Sequence, residues 1–145
     1  MTPVVVDTNV VVAGLLTAKS DSPVARVLDG MLAAAFPYVV STALLAEYRT
    51  VLNRPVLRKQ HGLGAVGVES VVVALAEHAI VLDPVPAPRA PDPGDQHLWE
   101  LLAARDGLLL VTGDKLLLKH HADPFRIVTP GTFIELCGLA EYRPL

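Results

Sequence analysis

The sequence predicts an α/β fold: an open, doubly wound parallel sheet with helices on both faces. Three observations carry that expectation. Short β-branched runs alternate with longer stretches whose apolar residues recur at helical spacing. The strand-like runs are apolar throughout, as buried parallel strands are, and they follow one another in a β-α-β-α order. There are five such runs, too few for an eight-stranded barrel.

The elements follow in order. Val4 to Val6 is the first strand. From Pro23 to Ala35, the residues Val24, Val27, Leu28, Met31 and Leu32 form a helical stripe, with Asp21 or Ser22 as the cap. Tyr38 to Val40 is the second strand, and Ser41 caps a helix through about Leu52. Pro55 follows, and "HGLGAVG" interrupts the pattern before a helix over Val66 to Ala79. Ala79 to Leu82, Leu108 to Val111 and Arg126 to Val128 are strands three to five. A last helix starts after Pro130 and runs to about Cys137. Between strands three and four lies "DPVPAPRAPDPG", with five prolines in twelve residues, which must run extended. Only 51 residues follow Gly94, marginal for a second core, so the segment reads as a stiff strap within one domain spanning 1–145.

Composition narrows the function. Hydrophobic residues make up 52% and charged residues 19%, which excludes a disordered tail. The net charge of −3 does not by itself advertise nucleic-acid binding. However, removing Asp7, Glu47, Asp95 and Asp114 from the 15 acids leaves 11 against 12 Lys and Arg, a neutral remainder. The lone Cys137, in the apolar context "FIELCGL", permits no internal disulfide or zinc cluster and is expected to be buried and inert. No basic leader region precedes an apolar run at the N-terminus, and the longest uncharged stretch, Gly30 to Ala46, contains Pro37, Ser41 and Thr42. A cytoplasmic protein with no membrane association is expected.

Four carboxylates stand where simple folding does not require them. Ligands of open α/β sheets gather beyond the carboxyl ends of the strands. Asp7 ends strand one, and Asp114, in "LLLVTGDK", lies just past strand four. Glu47 sits on the shoulder of the stripe formed by Leu44, Leu45, Tyr48, Val51 and Leu52. Asp95 precedes Leu98, Trp99 and Leu102 by three, four and seven residues and so points inward, while Asp92 reads as an N-cap with Pro93 at the first helical position. Each acid has an ordinary alternative: helix caps or turns for Asp7 and Asp114, an ion pair with Arg54 for Glu47, a capping box for Asp95. Together they would repel one another unless a cation lies between them. An all-carboxylate set with no Cys favours Mg²⁺ or Mn²⁺ over zinc.

The stretches "VVVDTNVVVAGLL", "STALLAEYRTVL", "DPGDQHLWELLAARDG" and "LVTGDK" resemble, in order and spacing, the four acidic motifs of PIN-domain nucleases, most nearly the VapC-like toxins of type II toxin–antitoxin pairs. The resemblance implies a three-layer α/β/α fold with a five-stranded parallel sheet of order 3-2-1-4-5. It implies an Mg²⁺-dependent endoribonuclease acting on single-stranded or structured RNA, and a small antitoxin partner. By motif, Asp7, Glu47, Asp95 and Asp114 match the acidic quartet, holding one or two ions, with Glu47 acting through water and Asp92 as an auxiliary acid. Thr8, Asn9 and Thr112 match the polar positions that hold carboxylates or water.

Phosphate contacts are expected from the acid-free run carrying Arg49, Arg54, Arg58 and Lys59, with Arg54 foremost because it lies up to two turns past Glu47. His97, His120 and His121 are expected at the surface. The stretch "PVARVLDGMLAAAF" is either core or a groove or homodimer face. Rival readings are a haloacid-dehalogenase-type phosphatase, a catalytically silent RNA- or partner-binding module, and a structural protein. The phosphatase needs an acid where Asn9 stands, and a lysine before the last acid, whereas Lys115 follows Asp114.

Overall fold

A computed structural model describes residues 2–120 and 125–138; His121 lies outside them. Its strands and helices, in chain order, are β1 (Val4–Val6), α1 (Thr8–Leu16), α2 (Pro23–Leu32), β2 (Val39–Val40), α3 (Thr42–Leu52), α4 (Pro55–His61), α5 (Gly64–His78), β3 (Ile80–Val81), α6 (Gln96–Ala103), β4 (Leu109–Val111), α7 (Lys115–Lys119), β5 (Arg126–Val128) and α8 (Pro130–Leu136). A 3₁₀ turn, Pro93–Asp95, leads into α6.

All strand pairings are parallel, as the apolar runs require. β4 lies between β1 and β5, with Val6 opposite Val111 and Val111 opposite Val128. β2 pairs with β3 through Val39 opposite Ile80 and Val40 opposite Val81. The five-stranded sheet expected from sequence is seen in part: among the described residues β1-β4-β5 and β2-β3 are two ladders, which meet at a parallel bridge between Val4 and Tyr38. At that junction the Pro37 carbonyl accepts from Val4 N–H at 3.2 Å. Two residues on, the Val6 carbonyl accepts from the Tyr48 hydroxyl, a side chain of α3.

The core is built on β1 and β4, whose residues are buried throughout. Each buried valine or leucine contributes roughly 1.5–3 kcal/mol relative to exposure. α1 packs on α2, α2 on α5 and α8, and α3 on α1 and α5. The apolar face of α2 is spent in this packing, with Ala25, Val27, Leu28 and Met31 buried, so core is the reading of that stretch that holds.

α1 is a helix that the pattern "TNVVVAGLL" does not announce. Its valines are β-branched and carry no clear stripe, but Asp7 caps its first turn and Val10 and Val11 are buried. Gly14 allows α1 to approach α2 closely: a Cβ there would lie 2.6 Å from the Val24 carbonyl oxygen. Pro55, the residue that interrupts the pattern after α3, occupies the first turn of α4. The strap, residues 83–92, runs without helix or strand. Cys137 is half-buried rather than fully enclosed. Among the described residues no helix is long and apolar enough to cross a membrane.

Candidate active site

The register of β1 against β4 builds the site. Because Val6 faces Val111, the next residues, Asp7 and Thr112, emerge side by side, and Asp7 N–H extends the ladder to the Val111 carbonyl at 2.9 Å. Asp7 is buried, with 5% of its surface exposed, so its carboxylate needs donors. It has three: Thr8 N–H at 2.8 Å, Thr112 Oγ1 at 2.8 Å and Asn9 Nδ2 at 3.2 Å. Asn9 also spans the two loops, its Oδ1 accepting from Gly113 N–H at 3.0 Å. Thr112 Oγ1 accepts in turn from Asp114 N–H at 3.0 Å. Thr8, Asn9 and Thr112 thus form one network under Asp7 and Asp114.

Burial pushes the Asp7 carboxyl above its ordinary range. The hydrogen bonds from Thr112 and Thr8 offset part of that, and the charges of Glu47 and Asp114 add to it. Asp95 is raised to about 6, first by burial and then by the charges of Asp7, Asp92, Asp114 and Glu47. Capping does not account for Asp95: it occupies the cap position of α6 but makes no side-chain cap hydrogen bond. Asp92 does cap, accepting from Gly94 N–H at 2.8 Å. Asp114 caps α7 through Leu116 N–H at 2.8 Å, a role that leaves it facing the same cleft.

Glu47, on α3, makes no ion pair with Arg54. Its Oε1 accepts from the Thr8 hydroxyl and its Oε2 from His97 Nε2 at 2.9 Å. The surface position expected for His97 is therefore corrected: its side chain is 19% exposed and turned toward the acids, while His120 is exposed. Sequence reasoning passed over His97 because its partner, Glu47, lies 50 residues away on another helix. The available signal was its position in the same first turn as Asp95.

The four acids, together with Asp92, Thr8 and Asn9, line one open cleft of about 600 Å³. Val12, Ala13 and Leu16 of α1, with Val51 and Arg54 on the α3 side, line the same space. Of the four basic residues named from sequence, Arg54 alone is in this cleft. Arg58 and Lys59 border a separate depression with Pro55, Gly62 and Gly64, and Arg49 is held in a two-pronged pair with Glu69 at 2.8 and 3.1 Å.

A family model described as a PIN domain matches residues 3–116, from the entry to β1 through the first residues of α7. The chain belongs to the PIN-domain family. The matched span contains all four acids. No curated protein and no solved structure matches the chain. PIN domains are typically nucleases that bind divalent metals, and the donor chemistry of this PIN domain fits such an ion: every donor is a hard oxygen, and burial together with mutual repulsion raises both Asp7 and Asp95. Among the described residues no three Asp, Glu, His or Cys side chains converge as a ready-made ligand set. The cleft is a cluster of donors rather than a closed cage.

Proposed function

We propose that this PIN domain, taken as one unit over 1–145, is an Mg²⁺- or Mn²⁺-dependent endoribonuclease, the toxin half of a toxin–antitoxin pair acting in the cytoplasm. The observation that carries the reading is the meeting of Asp7, Glu47, Asp95 and Asp114, each from a different segment of the chain, along one open cleft. Asp7, Asp95 and Asp114 would hold one or two ions. Such an ion supplies an acidified water and neutralises phosphate oxygens. Glu47 is restrained by Thr8 and His97, which suits it to align the attacking water.

The cleft also suggests a path for RNA. Asn9, Val12, Ala13 and Leu16 follow one another along α1, while Glu47 and Val51 follow along α3 and Arg54 stands just beyond its end. Seven residues separate Glu47 from Arg54, about 10 Å at helical rise, enough to set Arg54 against a phosphate flanking the one that is cut. The aliphatic side chains between them favour an unpaired base over a duplex. An antitoxin segment carrying a basic residue and apolar side chains would match the same cleft.

The test is cleavage of labelled single-stranded RNA, the matching duplex and single-stranded DNA with Mn²⁺. Products bearing 5′-phosphate from single-stranded RNA support the reading. Equal cleavage of DNA, or none of any substrate, counts against it.

A further inference from the structure

Asp95, Gln96 and His97 are consecutive residues that reach three different places. Asp95 lines the cleft. Gln96 turns back onto the proline strap, accepting from Ala90 N–H at 2.8 Å and donating to the Pro88 carbonyl at 3.1 Å. His97 crosses to α3, its Nε2 2.9 Å from Glu47 Oε2. Since a carboxylate only accepts, Nε2 carries the shared proton. The other ring nitrogen, Nδ1, is buried and bonds to none of the described residues, so Glu47 is the polar anchor of the ring.

Glu47 itself is 31% exposed and sits on a helix other than the one carrying His97. With Thr8 donating to one oxygen and His97 to the other, both the position and the plane of its carboxylate are fixed from two directions. Removing either donor would free the long side chain to rotate toward solvent.

We infer that His97 is a positioning residue for Glu47: it holds that carboxylate in the cleft, and it does so from the same helical turn that presents Asp95. The inference rests on the nuclease reading for its kinetic consequence, and on the pairing alone for its structural one. Partners that orient metal-site groups typically contribute 10–100-fold to activity or metal affinity.

The experiment compares His97→Ala, which removes the donor, with His97→Gln, whose amide keeps an N–H at similar reach. On the single-stranded RNA that wild type cleaves, with Mn²⁺ saturating, His97→Ala lowers kcat about 10–100-fold with KM nearly unchanged, and His97→Gln recovers most of the loss. Wild-type kcat in His97→Ala, or equal impairment of the Ala and Gln variants, overturns the inference. A second readout needs neither metal nor activity: melting of His97→Ala, Glu47→Ala and the double variant in EDTA. Non-additive shifts support the pairing, and additive shifts overturn it. If wild type cleaves no RNA, the nuclease reading fails, while the melting cycle still decides whether His97 holds Glu47.

Discussion

The hydroxyl of Tyr48 donates to the carbonyl oxygen of Val6, and so ties the residue after Glu47 to the residue before Asp7. Two acids 40 positions apart in sequence are thereby held by one buried bond between their neighbours. Burial, and then the nearby charge of Asp7, pushes the Tyr48 hydroxyl well above its ordinary range, so it stays protonated and remains a donor.

Tyr48→Phe tests this tether. It leaves the ring in place but strips the Val6 carbonyl of its partner. The expected cost is about 1–3 kcal/mol in denaturant unfolding, with a fall in RNA cleavage as α3 loosens from β1. Unchanged stability would mean that the bond contributes nothing net.

The raised Asp95 carboxyl sets a pH dependence. Its folded value of about 6 lies above the ordinary 3.8, so between these values the folded chain keeps a proton that the unfolded chain has lost. This contribution to stability is therefore fully present below pH 3.8 and is lost as pH rises through about 6. Melting in EDTA across this range is the measurement, with Asp95→Asn as reference. The wild type is expected to lose stability relative to the variant as pH rises, and Mn²⁺ at pH 7 to restore it.

Asp7→Asn removes a buried charge but preserves a side-chain oxygen that can cap α1. In EDTA at pH 7 the variant is expected to melt at or above the wild-type temperature, since burial and the charges of Glu47 and Asp114 both disfavour an ionised Asp7. In Mn²⁺ the order reverses, because the wild type alone gains from the ion.

α2 ends in a Schellman turn, with Ala35 N–H on the Gly30 carbonyl at 2.8 Å and Ala34 N–H on the Met31 carbonyl at 3.2 Å. Ala34 holds the left-handed position there, at φ 54°, where a Cβ is unfavourable. Ala34→Gly is expected to stabilise by about 1 kcal/mol, part of the relieved strain being lost to the greater freedom of unfolded glycine. Equilibrium unfolding checks it, and cleavage should be unaffected.

What the sequence made legible followed from burial. Val4–Val6 and Arg126–Val128 form strands at the bounds that their apolar runs mark, and the helix after Ser41 ends at Leu52 as its stripe does. The parallel α/β class followed for the same reason. α1 was hidden because its helicity comes from the Asp7 cap and from packing against α2, which override the strand preference of three valines. The meeting of β1 and β2 at Val4 and Tyr38 is a pairing between residues distant in sequence, which no local pattern records. Asp7 and Asp114 stood out because acids follow apolar strands, and Asp95 because it shares the direction of Leu98, Trp99 and Leu102. His97 did not, since its partner lies 50 residues away on α3. Arg49 was named with Arg54 in the basic run, with Arg54 foremost, but only the fold reveals that Glu69 on α5 engages Arg49.

On the proposed function this cleft would hold a divalent ion for RNA cleavage. The most direct measurement pairs wild type with Asp7→Asn on a mixed pool of fluorescent single-stranded RNAs, with Mn²⁺ or EDTA, while the melting temperature of each is followed under the same conditions. The predicted result is cleavage by wild type that needs the metal and disappears in Asp7→Asn, with a metal-induced rise in melting temperature confined to wild type. Folded wild type that neither cleaves RNA nor shifts its melting temperature with Mn²⁺ would contradict the claim.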